Sequence, residues 1–127
     1  LNKDDFSDPY NLIYGHNMKN GGMFADVVDF INKKYFDEHK KGKLYLTNET
    51  KKIQFFACMK VTASDTKIYH PDGYRKENLD DLLIYIREHA VQYRDLNITK
   101  EDSLIALSTC SEAETNGRVV LIGKFVK

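Results

Sequence analysis

Apolar positions in this chain recur with two periods, and the switches between them predict a β-rich fold carrying two helices. Asn11-Leu12-Ile13-Tyr14 reads as a short strand running into the turn-prone Gly15-His16-Asn17. From Met23 to about His39, Phe24, Val27, Val28 and Ile31 fall at helical spacing, bounded by Gly21-Gly22 before and Gly42 after. Lys43 to Thr47 and Lys51 to Thr62 then read as two strands joined by a hairpin turn at Asn48-Glu49-Thr50. In the second of these, Ile53, Phe55, Ala57, Met59 and Val61 alternate, which predicts that all five face one core. Ser64 to Tyr74, with Pro71 and Gly73, reads as a loop.

The clearest helix is predicted over residues 78–94. Asn78 is a good N-cap residue, and Asp80 and Asp81 fall in the first turn, where the helix dipole favours carboxylates. Leu79, Leu82, Leu83, Ile86, Ala90 and Tyr93 recur at steps of three and four, the stripe of an amphipathic helix ending near Asp95. Leu104 to Thr109 and Val119 to Val126 are apolar on both faces, as central strands of a sheet or barrel are.

Length confines these elements to one domain. A chain of 127 residues buries roughly two-thirds of its unfolded surface around a single core, and no repeat, linker or low-complexity tract divides this one. Nineteen basic and nineteen acidic residues leave no net charge, which argues against a nucleic-acid or membrane-surface binder. No apolar run approaches the roughly 18 residues of a membrane span. The chain begins at Leu1 rather than Met, so the expectation is a trimmed piece whose export signal or anchor lies upstream.

The two cysteines stand in different settings. Cys58 lies inside a buried-strand pattern, where cysteine acts as a small hydrophobe, whereas Cys110 ends an apolar run and opens a polar loop, where a thiol is reachable. No disulfide scaffold is indicated. The two last strands are joined by the short polar stretch Ser111 to Gly117, which fits an antiparallel hairpin and sets Cys110 and Arg118 on either side of its mouth. Paired across the strands, their backbones would lie about 5 Å apart. A cysteine nucleophile works as its thiolate, and a nearby cation lowers its pKa; Arg118 supplies one. A leaving amine also needs a proton donor, for which histidine is suited near neutral pH. Of His16, His39, His70 and His89, His16 is the choice, because it follows a strand as Cys110 does.

Three segments then carry a family resemblance. Leu107-Ser108-Thr109-Cys110 resembles the Leu-x-Thr-Cys signature of sortases, Arg118 follows eight residues on as the family's arginine does, and Tyr14-Gly15-His16-Asn17-Met18 resembles the family's histidine segment. The run Tyr14 to Asn20 and the long helix before the cysteine strand resemble class B in particular; Ala106 departs from the Thr that many sortases carry there. The resemblance implies a mainly β, barrel-type sortase fold with helices, of which this chain is the later part, without the N-terminal strands. It also implies a cysteine transpeptidase with catalytic His16, Cys110 and Arg118, and a groove that Tyr14, Asn17, Ser108, Thr109 and Glu112 would line. Its substrates would be a sorting-motif peptide of a secreted protein and an amine of peptidoglycan or a pilin, on the outer face of a Gram-positive cell membrane. No cofactor or nucleic acid is implied, the His and Cys spacings fit no zinc site, and the membrane enters only through an upstream anchor. The competing readings are a hydrolytic cysteine peptidase and a non-catalytic binding or assembly module.

Overall fold

The computed structural model describes residues 7–14, 27–46, 49–109 and 117–126. Its strands form one mixed sheet in the order β1 (Tyr10–Tyr14), β5 (Leu104–Ser108), β6 (Gly117–Phe125), β3 (Thr50–Thr62) and β2 (Lys41–Tyr45), with the short β4 (Gln92–Tyr93) added to β3. β1 runs parallel to β5, and the other pairs are antiparallel. The two strands predicted to be central are so: β5 is buried along its whole length between β1 and β6. The lysine-rich β2 lies at the other end of the strand path, where charged side chains discourage pairing with another chain.

Each face of the sheet carries its own core. On one, Leu79, Leu82 and Ile86 of helix α3 (Leu79–His89) pack with Tyr10, Phe56, Met59, Leu104, Ala106, Val120 and Ile122. On the other, Val27 and Phe30 of a 3₁₀ turn (Val27–Ile31) and Phe36 of α1 (Lys33–Glu38) cover Ile53, Phe55, Cys58, Ile105, Leu107 and Leu121.

The expected single-faced alternation of β3 does not hold. The register against β6 shifts between Phe55 and Ala57, a β-bulge that exchanges the faces. Ile53 and Phe55 belong to the core under α1, whereas Ala57, Met59 and Val61 belong with α3. The backbone N–H of Arg94 donates to the Phe56 carbonyl at 2.7 Å, and its guanidinium donates to the carbonyls of Phe55 (2.5 Å) and Phe36, lying over the Phe36 ring. Opposite the bulge stands Gly123, where a Cβ would come within 2.5 Å of Ile53 Cγ2 and 2.8 Å of the Gln54 carbonyl.

The helices also differ from expectation. The segment expected as one helix to His39 is divided at Asn32, whose Oδ1 accepts the Tyr35 amide at 3.1 Å and so starts α1 afresh; residues 23–26 lie outside the described part. The helix expected over 78–94 is α3 over Leu79–His89. It stops early because Val91 gives its amide to the Cys58 carbonyl and the chain turns into β4. Asn78 does not cap it by side chain: its Oδ1 accepts the Arg75 amide at 2.6 Å and its Nδ2 donates to the Gly73 carbonyl. The expected loop of residues 64–74 holds a helical turn, α2 (Thr66–Tyr69), started by Asp65, whose Oδ1 accepts the amides of Lys67 and Ile68. Among the described residues no helix is long and apolar enough to cross a membrane.

Candidate active site

Three strand ends meet at one edge of the sheet. Tyr14 closes β1 and pairs with Ser108, the last residue of β5; Ser108 pairs in turn with Val120 of β6. Strand alternation puts Tyr14, Ser108 and Arg118 on the face that carries α2 and α3, since Tyr10, Leu12, Leu104, Ala106, Val120 and Ile122 pack there.

The exit of β5 is held firmly. Thr109 donates its amide to the Val119 carbonyl at 3.0 Å, and its Oγ1 accepts the Val119 amide at 3.0 Å. Ser108 is fully buried; its hydroxyl donates to the Thr109 carbonyl at 3.1 Å and lies 2.7 Å from the Tyr69 phenol oxygen. Tyr69 in turn stacks on Tyr14, with ring centroids 5.9 Å apart and planes 11° from parallel. Burial, more than any other influence, pushes the Tyr69 phenol up, with Ser108 and Arg118 acting in the opposite sense.

Arg118 lies opposite Val61 of β3, and its Nη1 donates to the Gly117 carbonyl at 3.0 Å. It opens on a groove of about 720 Å³ whose lining includes Val61, Thr62, Tyr85, His89 and Thr109. On the far wall the Tyr85 hydroxyl donates to Asp65 at 2.5 Å; burial and that carboxylate push the phenol up to about 12.

Of the residues singled out in the sequence, Tyr14, Ser108, Thr109 and Arg118 are brought to this edge, Thr109 and Arg118 on the groove and Ser108 behind its surface. His16, Asn17, Cys110 and Glu112 lie outside the described residues. Cys58 is free and fully buried, and burial pushes its thiol up to about 12, as suits a core residue rather than a nucleophile. His39 stacks on Tyr35 and His89 lies tilted against Tyr85, and each bonds the carbonyl of that tyrosine, four residues back, through Nδ1. His70 is exposed beside the C-terminus of α2. Sequence reasoning missed Tyr69, Tyr85 and Asp65. The Ser-Asp-Thr start of α2 was the available signal, since Asp before a short apolar run marks an N-cap. Among the described residues no group of three or more His, Cys, Asp or Glu side chains could hold a metal ion.

No protein-family model matches the chain. It is 30% identical over 129 residues to sortase B of Listeria monocytogenes and 27% identical over 118 residues to sortase B of Staphylococcus aureus. These matches take in 98% and 91% of this chain but 51% and 48% of the two relatives, so the chain spans about half the length of the curated relatives it matches. Among solved structures, the sortase B from the type II pilus of Streptococcus pneumoniae superposes with a TM-score of 0.86 at 33% identity, covering 99% of this chain and 72% of that one. A Streptococcus pyogenes class B sortase involved in pilus biogenesis follows at 0.81 and 33%, covering 98% and 68%. The S. aureus sortase B–substrate complex gives 0.79 at 26%, covering 94% and 56%. Sequence and fold agree over nearly the whole chain, and the chain belongs to the class B sortases.

Proposed function

We propose that the protein carrying this chain is a cysteine transpeptidase that cleaves a C-terminal sorting motif after threonine and passes the acyl group to an amine of the cell wall or of a pilin. Its site would be His16, Cys110 and Arg118. The observation that carries this reading is the pair of registers meeting at Ser108. Tyr14 pairs with Ser108 in parallel and Ser108 with Val120 in antiparallel sense. In the sequence His16 follows Tyr14 by two residues, Cys110 follows Ser108 by two, and Arg118 precedes Val120 by two.

The chemistry follows from those three side chains. The Cys110 thiolate attacks the threonine carbonyl, a carbon–sulfur bond forms, and the carbon–nitrogen bond breaks as His16 gives its proton to the departing amine. Arg118 holds the negative charge that builds on the carbonyl oxygen. His16 then takes a proton from the incoming amine, which attacks the thioester and releases the thiolate. Tyr14, Asn17, Thr109 and Glu112 are proposed to contact the peptide, and Ser108 to support the groove from behind. The enzyme would act on the outer face of the cell membrane, held by an anchor upstream of this chain.

Incubating the full polypeptide with a sorting-motif peptide and an amine acceptor tests the reading. Mass spectrometry is expected to find an acyl adduct on Cys110 and a new amide product. Hydrolysis products alone, or the same products from Cys110→Ala, would overturn it.

A further inference from the structure

We propose that Tyr69 is a positioning residue for the nucleophile: through Ser108 it sets the plane of the peptide leading into Cys110, and through its ring it braces the strand end that leads to His16. The inference rests on the transpeptidase reading and adds to it a residue outside the three signature segments.

The argument begins with one hydroxyl. Ser108 carries a single proton, which it donates to the Thr109 carbonyl at 3.1 Å. The Tyr69 phenol, 2.7 Å from the same oxygen, must therefore be the donor in that bond. A phenol raised by burial keeps its proton throughout the physiological range, so the chain Tyr69 to Ser108 to Thr109 keeps one polarity. Its last acceptor, the Thr109 carbonyl, belongs to the planar peptide unit whose nitrogen is that of Cys110. Holding that oxygen fixes the direction from which the chain enters Cys110.

Tyr69 can do this because its own backbone is anchored. Asp65 caps the turn that Tyr69 ends, Ile68 is fully buried, and the buried Tyr10 hydroxyl donates to the Ile68 carbonyl at 2.8 Å. α2 is thus fastened to β1 by Tyr10 and to β5 by Tyr69, while Tyr14 stacks on the Tyr69 ring two residues before His16. One side chain spans the two strand ends that lead to the nucleophile and to the acid. Reaction rates depend steeply on such placement, where a shift of about 1 Å can cost a hundredfold.

The test uses two variants of the full polypeptide. Tyr69→Phe keeps the ring and its stack on Tyr14 and deletes only the phenol; Ser108→Ala breaks the same link from the other end. Each is expected to lower kcat about ten- to a hundredfold with the KM for the sorting peptide within about twofold, and the double variant to lose no more than the worse single. A purely structural role would instead give losses that add and that follow the unfolding midpoint. Parental kcat in either variant that stays folded, or additive losses in the double, overturns the proposal. Absence of any acyl adduct in the unaltered enzyme would instead sink the transpeptidase reading on which it rests.

Discussion

Thr109 and Val119 bond each other twice, once through backbone alone and once with the Thr109 Oγ1 standing in for a carbonyl. The side chain adds a second bond at the rung just beyond the Ser108–Val120 pair of β5 and β6. Thr109→Val keeps the shape and β-branching but removes the acceptor, leaving the half-buried Val119 amide without that partner. The expected cost is about 1–3 kcal/mol, read as a lower urea midpoint, with Thr109→Ser close to the parent.

The strands were legible because β5 and β6 are apolar on both faces and bounded by polar turns, a pattern that suits only a central position. The bulge in β3 was not, for a physical reason. Phe56 and Cys58 are as apolar as their neighbours, so a change of phase leaves no mark on a strand buried on both sides. The early end of α3 was hidden likewise: Ala90 and Tyr93 continue the helical stripe, yet both pack in the same core from a non-helical backbone. At the site, the hairpin reasoning that marked Cys110 and Arg118 used only local sequence. Tyr69 meets Ser108 across 39 positions, a contact that no local pattern encodes.

Helix α3 offers a graded test of its docking. Leu82 is fully buried, Leu83 half-buried and Ile84 56% exposed, so the predicted stripe is centred on Leu79, Leu82 and Ile86, with Leu83 at its margin. Leu82→Ala should destabilise by about 2–5 kcal/mol and Leu83→Ala by on the order of 1 kcal/mol. Ile84→Ala should stay within about 0.5 kcal/mol. Chemical denaturation giving Leu83→Ala the largest loss would mean the helix is rotated from this docking.

Cys58 makes a pH-dependent prediction whose sign follows from burial. Its folded pKa is raised to about 12, so folding favours the protonated thiol. That contribution is fully present below the ordinary thiol pKa of about 8.5 and is lost as pH rises through about 12. In a Cys110→Ala background, iodoacetamide at pH 7 to 9 should leave Cys58 unmodified in the native protein and alkylate it once denaturant is added. Equal rates with and without denaturant would show that the thiol is reachable in the fold.

Arg118 separates a catalytic role from a merely ionic one. A guanidinium presents several donors in a rigid plane; one N–H of Arg118 bonds the Gly117 carbonyl, and the residue lines the groove that Thr109 also lines. A lysine ammonium in its place carries the same charge on a flexible stem and holds no such plane. If Arg118 served only as a surface cation, Arg118→Lys would preserve activity, and the pair it mimics would be worth under about 1 kcal/mol. If it holds the developing oxyanion, losing a positioned donor should lower kcat about 10²–10³-fold, roughly 2.7–4 kcal/mol of transition-state stabilisation. Binding of the sorting peptide, made in the ground state, should change little, and so should the unfolding midpoint, because the side chain lies at the end of β6, outside both cores. Steady-state transpeptidation and peptide titration on the full polypeptide measure both quantities. A kcat for Arg118→Lys within a few-fold of the parent would remove Arg118 from the proposed catalytic set and leave Cys110 and His16 alone to account for the chemistry.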